Sequence, residues 1–409
     1  MGRMIAPYGV PVQTPGMSAF AEQGMVFDQA HCAAPTCSPS RAALLTGRYP
    51  HEAGMMGLSH RGFSLNDPEE HLGRYLSRRG VRTALCGLQH EFGLYAKGLP
   101  YDDVWPNWLD ESNEDRDQRA VQDALRFLEK RGFGPTFLSV GLFYPHRPFF
   151  SAPPEQRNRP LPEGWPEDEA YREDWADYAG TIEWVDRTLD PLLHALTSGP
   201  EAESTLVILT TDHGPPFPDQ KGQLRDAGTG VTLIIRHPQG EKGKRTSAMV
   251  SHLDLFPTIC ESLGVPLPPT CRGLSLLPLL QGQPWGGRGE IFTQTTFHAA
   301  YEPLRAIRTE RYKFIRRFGS TRRVLVNCDD SPAKTSRIKA GWDREILPGS
   351  ELYDLLDDPG ETRNLIQYPK CASIVQDLSE RLRTHMEATN DPLLDPPVIP
   401  PPGVTLNEE

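Results

Sequence analysis

The sequence predicts an α/β protein: a large, mostly parallel mixed sheet between helices, followed by a smaller α+β unit. Three observations carry this. Short apolar runs alternate with amphipathic stretches over the first ~285 residues, as strands alternate with helices in such sheets. Polar clusters follow the apolar runs near residues 85, 143 and 210, and α/β sheets bind ligands at the carboxyl ends of their strands. Beyond residue 290 the pattern changes to short antiparallel strands and one closing helix. The expected division is residues 1–285, residues 286–395 and a proline-rich tail, 396–409.

The elements follow in chain order. Thr14-Pro15 opens a helix that ends within residues 19–24. "RYLSRRGVRTALCG" (74–87) reads as a helix end, a glycine turn and a strand. "DQRAVQDALRFLEKRG" (117–132) has helical periodicity and a terminal glycine. "PTFLSVGLFYPHRPF" (135–149) is a buried strand running into an aromatic, proline-rich loop. Residues 175–196 form a long amphipathic helix. "STLVILTTDHG" (204–214) and "GVTLIIRHP" (230–238) are further buried strands, and "SHLDLFPTICESLGV" (251–265) is a helix stopped by glycine. "LRAIRTERYKFIRRF" (304–318) gives two short antiparallel strands, and residues 373–386 the closing helix. The tail is expected to be extended or disordered. No internal repeat is visible.

Bulk properties exclude several classes. The chain has 409 residues, 38% hydrophobic and 24% charged, an ordinary globular composition. No apolar run reaches 18 residues, so no membrane span is expected. A net charge of −11 argues against a nucleic-acid surface. The basic residues are mostly arginine, whose fork geometry suits oxyanions. Seven irregularly spaced cysteines without a CxxC pair make neither a disulfide framework nor a zinc ribbon. Reduced-looking cysteines favour a cytoplasmic location, and no signal peptide is visible at Met1.

The most informative stretch is "TCSPSRAALLTGRYPHEAG" (36–54). Cys-Ser-Pro-Ser-Arg followed by Leu-Thr-Gly-Arg resembles the signature of the formylglycine-dependent sulfatases, in the alkaline-phosphatase-like superfamily. In that family a maturation enzyme, the formylglycine-generating enzyme, reads the residues matching Cys37, Pro39 and Arg41 and oxidises the cysteine. Four other segments resemble the same family. "LTTDHG" matches the strand end that supplies metal ligands, here Asp212 and His213. "FYPHRPF" carries a substrate-binding histidine, here His146. "CGLQHEFG" keeps His90 but has Leu88 where the family has a lysine. "ELYDLLDDPGETRNL" resembles the family's closing subdomain motif. The resemblance runs from about residue 7 to 390. "GMMGL" and "PPFPDQKGQLRDAGTGVTLII" look most like the heparan N-sulfatase (sulfamidase) group and single out Lys221 as a sulfate contact.

The resemblance implies the family's fold and a hydrolase of sulfate esters or sulfamates on a carbohydrate. Cys37, as formylglycine, would be the nucleophile and Arg41 would hold its hydrate. His90 or His146 would serve as general base or leaving-group acid. Lys221, His51 and His298 would contact substrate; Asp212, His213 and residue 37 would bind one divalent cation. Calcium is the family's usual ion, but the imidazole of His213 shifts preference toward manganese or another transition metal. Asp-His also occurs in phosphonate monoester hydrolases, so a phosphonate or phosphate ester substrate is the alternative. Each residue has a plain structural reading as well: a helix charge for Arg41, a solvated loop charge for Lys221, a helix-fixing contact for His51.

One family feature is missing. Relatives open with an apolar strand ending in an Asp-Asp metal pair, and "GRMIAPYGVPVQTPGMSAF" begins after it. The expectation is a longer gene product; the opposite possibility is a metal-poor fragment or binding protein.

Overall fold

A computed structural model describes the chain except residues 94–95, 106–111, 201 and 408–409. Among the described residues, seven strands build the first unit: β1 (Met25–His31), β2 (Arg82–Gly87), β3 (Asp103–Val104), β4 (Thr136–Gly141), β5 (Val207–Thr210), β6 (Leu233–Arg236) and β7 (Lys244–Ser251). They form a four-stranded sheet in the order β5-β6-β1-β7 and a three-stranded sheet in the order β3-β2-β4. β2 runs parallel to both neighbours, and β1 runs parallel to β7. β6 is antiparallel to both β1 and β5. The sheet is therefore mixed, with the reversal carried by one fully buried strand, Leu-Ile-Ile-Arg.

Helices cover these sheets for local reasons. The longest, Glu169–Ser198, starts where the Asp168 carboxylate accepts the backbone N–H groups of Ala170 and Tyr171. Its Trp175, Tyr178 and Ile182 face the core beside Phe20, Phe217 and Ile234. Each fully buried Phe or Ile in this cluster stabilises the fold by about 1.5–3 kcal/mol. The Asn113–Lys130 helix is capped by Ser112 and buries Ala120, Val121, Ala124 and Phe127. Among the described residues no helix is long and apolar enough to cross a membrane.

The second unit is an antiparallel sheet of β8 (Ile291–Phe297), β9 (Tyr301–Arg308), β10 (Tyr312–Arg317) and β11 (Ser350–Asp354), in the order β11-β10-β9-β8. β9 and β10 are the hairpin expected from residues 304–318, with Lys313 opposite Arg308. The Ala372–Ala388 helix closes the unit, packing Leu378, Leu382 and Met386 on Ile307, Phe314 and Leu352. Ala42, Ala53 and Phe63 from the first unit share that core.

The tail is extended and docked. The Thr405 and Asn407 N–H groups donate to the carbonyls of Arg61 and Ala299, and Val404 and Leu406 pack on the second core. Its last two residues lie outside the described residues.

Candidate active site

Cys37 is the first residue of a ten-residue helix, Cys37–Thr46. Thr36 before it is extended, and Pro39 sits in the first turn, where a missing N–H costs no helical hydrogen bond. The helix stops at Gly47, whose φ of 66° is left-handed. A Cβ there would also come within 3.1 Å of Cys271 Sγ and Phe256, so glycine fits on both grounds. Cys37 is thereby held at a helix start, buried, with the helix dipole favouring negative charge on it.

β5 aims its carboxyl end at the same point. Asp212 and His213 lie just beyond it, and His213 Nε2 is 3.4 Å from Cys37 Sγ. His213 Nδ1 is 2.7 Å from the Gly214 carbonyl, which can only accept. Nδ1 therefore carries a proton, and Nε2 is the ring nitrogen turned toward residue 37. Arg41, one turn along the helix, places Nε 3.5 Å from an Asp212 carboxylate oxygen. Ser40 Oγ donates to the Asp212 carbonyl, and His252 supports this from behind by contacts to Ser40 and, at 3.0 Å, to Thr210.

Electrostatics follow from this geometry. Burial pushes the Cys37 thiol up, but Lys221 and His213 outweigh it, so its pKa lies below the ordinary value. Burial would also raise Asp212; His213, Arg41 and Lys221 instead hold it far below the usual carboxylate range.

Ligand atoms of Cys37, Asp212 and His213 all lie within 4.8 Å of one another. One carboxylate, one imidazole and residue 37 fit a divalent cation that accepts mixed donors, with water completing the shell. They fall short of the six to eight oxygens of a calcium cage, roughly the number such sites supply.

The rim comes from elsewhere. Lys221 Nζ is buried and sits 3.0 Å from both carboxylate oxygens of Asp329, which comes from the second unit. Asp329 is lowered to about 2: burial raises it, and the Lys221 ammonium more than reverses that. His298 is buried, its Nδ1 without a partner among the described residues, and it feels the charges of Lys221, Asp329 and His213. His146 follows β4 on a loop that is pinned twice. The Asp117 carboxylate accepts the N–H groups of Phe143 and Tyr144, and Arg147 pairs bidentately with Asp174 at 2.6 and 2.7 Å. His146 Nδ1 donates to the Arg147 carbonyl at 2.7 Å, which leaves Nε2 as the acceptor. His90 follows β2; its pKa falls to about 4 through burial and the nearby Arg41.

The structure thus brings Cys37, Arg41, Asp212, His213, Lys221, His90, His146 and His298 around one crevice. His51 is placed elsewhere: its Nδ1 contacts Gln294 Oε1 at 2.6 Å, and its charged neighbours are Asp391 and Arg305. Leu88 brings no charge, and its backbone N–H bonds to Gly141. Asp329, His60, Ser40 and His252 were not singled out by the sequence. Only the Asp-Asp pair at 329–330 gave a signal, and an acidic doublet alone does not mark a site.

Comparison with known proteins adds a lineage. The family model "Sulfatase" matches residues 4–265, and "N-sulphoglucosamine sulphohydrolase, C-terminal" matches residues 220–340. The chain is 28% identical to an ulvan-active sulfatase of Formosa agariphila, over 96% of this chain and 79% of that protein. It is 29% identical to human N-sulphoglucosamine sulphohydrolase, over 93% of this chain and 86% of the relative. Among solved structures, a protein in complex with its substrate D-glucosamine-2-N,6-O-disulfate superposes with a TM-score of 0.75 at 20% identity. That match covers 96% of this chain and 97% of the other and bears on the fold.

Proposed function

The chain belongs to the sulfatase family, and from that premise we propose that it removes sulfate from a sulfated carbohydrate, as an O-sulfate ester or a sulfamate. The nucleophile is residue 37, matured from cysteine to formylglycine by a formylglycine-generating enzyme. The observation that carries this reading is the meeting of Cys37, Asp212 and His213 within 4.8 Å at a helix start.

A hydrated aldehyde at position 37 supplies two hydroxyls on one carbon, one to attack sulfur and one whose deprotonation lets the carbon–oxygen bond to sulfate break. Asp212, His213 and residue 37 would hold a divalent cation, which would supply Lewis acidity toward the sulfate oxygens. The remaining work falls to the chain's own residues. Arg41 and Lys221 offset the negative charge of sulfate, and both are held in place by carboxylates. His146 presents an Nε2 lone pair that can take a proton. His90 is the counterpart that protonates the departing sugar oxygen or nitrogen.

His213 also supports manganese or another transition metal in place of calcium, since imidazole nitrogen is a poor calcium donor. Metal analysis of purified protein should find a transition metal, and His213→Asn should shift the content toward calcium. Unchanged calcium occupancy in both proteins would refute this assignment. The same Asp-His pair keeps a phosphonate ester substrate as the second reading.

The test of function is sulfate release by protein co-produced with the maturation enzyme. N-sulfated and O-sulfated glucosamine and an aryl phosphonate monoester should be offered side by side. Faster turnover of a sulfated sugar supports the reading, and faster turnover of the phosphonate replaces it. The mature peptide should lack one sulfur and two hydrogens and gain one oxygen at residue 37.

A further inference from the structure

His60 has no place in the chemistry above, yet it touches a residue that does. It lies on a single 3₁₀ turn, Ser59–Arg61. Its Nδ1 is 3.0 Å from His90 Nε2, and the two rings stack with centroids 5.3 Å apart and planes 7° apart. The turn is firmly held. Ser59 Oγ donates to the carbonyls of His90 and Phe92, and the Ser59 N–H donates to Ser38 beside the nucleophile. Arg61 donates to Ala299, Thr405 and Asn407, so the docked tail fixes the other side. His60 is exposed, whereas His90 is only partly accessible.

We propose that His60 and His90 work as one proton-handling pair, in which His60 links the leaving-group acid to solvent. The inference rests on the hydrolase reading above. At 3.0 Å one nitrogen must donate and the other accept. The protons balance as follows. The loaded pair is neutral, with the His60 proton on Nδ1 donating to His90 Nε2, the His90 proton on Nδ1, and His60 Nε2 free toward solvent. The leaving oxygen or nitrogen takes the His90 Nδ1 proton as its bond to sulfur breaks. The His60 Nδ1 proton moves to His90 Nε2 and a solvent proton enters at His60 Nε2, leaving both rings neutral. When the second hydroxyl of residue 37 gives its proton to His90 Nδ1, the His90 Nε2 proton shifts back to His60 Nδ1 and the His60 Nε2 proton returns to solvent, which restores the starting state.

The surroundings suit such a relay. The charged groups facing His90 are Arg41, Glu91, Asp212 and Lys221; those facing His60 are His90, Arg61 and Lys221. Burial first, and then the charges of His90, Arg61 and Lys221, place His60 below the ordinary imidazole value; burial and Arg41 do the same for His90. A proton held there is released readily. A ring buried as His90 is would recharge slowly unaided, and His60 supplies the contact with water. Leu88 stands where the resembled family carries a lysine, so no ammonium competes for His90 from that position.

The test uses full-length matured enzyme and two substrates. A sulfated sugar leaves as a poor leaving group and needs an acid; nitrophenyl sulfate leaves as a stable phenolate and does not. His60→Ala should lower kcat on the sugar on the order of tenfold, part of what a positioned acid contributes, with KM little changed. Nitrophenyl sulfate turnover should be unaffected, and added imidazole should restore the sugar reaction. The His60→Ala/His90→Ala double variant should be no slower than His90→Ala alone. Equal loss on both substrates without imidazole rescue, or no loss on the sugar, would overturn the pair while leaving the hydrolase intact. Turnover of neither sulfate by the wild type would instead remove the hydrolase reading. Ring ¹⁵N spectra ask the question without turnover: the His60 Nδ1 signal should move in His90→Ala, and an unmoved signal refutes the pair.

Discussion

At the residue scale, the Lys221–Asp329 pair sets how strongly the crevice holds an anion. Both carboxylate oxygens of Asp329 sit 3.0 Å from the ammonium that sulfate would use. A charge-assisted hydrogen bond contributes about 1.5–3 kcal/mol, so freeing Lys221 should be visible in binding. Asp329→Asn should lower the inhibition constant of inorganic sulfate by roughly tenfold, while Lys221→Met should raise it. Competition kinetics on matured protein measure both, and opposite signs would show that the pair does not face the anion. This pairing also explains what could be read beforehand. Cys37 and Arg41 sit four positions apart, and Asp212 and His213 are adjacent, so a short motif announces them. Asp329 reaches Lys221 across 108 positions, and His60 reaches His90 across 30. No local pattern links such partners; folding alone does.

At the scale of elements, strands with internal contrast escaped the sequence. β1 reads Met-Val-Phe-Asp-Gln-Ala-His and β7 Lys-Arg-Thr-Ser-Ala-Met-Val-Ser, neither an apolar run nor a clean alternation. They are strands because each pairs with the other in parallel, and β1 is held by β6 on its far edge. The mainly apolar β4, β5 and β6 were visible at once. The Ala372–Ala388 helix was visible too, but not its use of His385. That ring stacks on Phe292 at 3.7 Å and meets Tyr49 edge-on. Burial and nearby His51 lower it to about 3. Its folded pKa lies below the unfolded value of about 6.5, so the unfolded chain binds a proton that the folded one refuses. Stability is therefore lost as pH falls from about 6.5 toward 3. His385→Phe should reduce the slope of unfolding free energy against pH by one proton over that range, as read from urea titrations at pH 6, 5 and 4. An unchanged slope would show that the ring is not kept neutral by the fold.

At the scale of the whole molecule, the two units are tied by buried charge. Lys313 of β10 donates to the Leu224 carbonyl at 3.1 Å and to Asp226, and lies 3.2 Å from Glu361. Arg308 adds a second cation on Asp226. Burial pushes the Glu361 carboxyl up, against the pull of Lys313. Lys313→Met leaves two carboxyls facing each other in the interior and should cost about 3–5 kcal/mol of stability, measured by denaturant midpoint. A loss below the noise of that measurement would mean that Lys313 does not help to tie the units. The same junction carries Asp329 and His298 to the crevice, so the second unit completes the site as well as the core. The central claim is that residue 37 is the attacking group in this crevice. Sulfate release from a sulfated amino sugar, compared between matured wild type and Cys37→Ala, tests it most directly. The account predicts release by the first and none above background by the second; equal rates would contradict it.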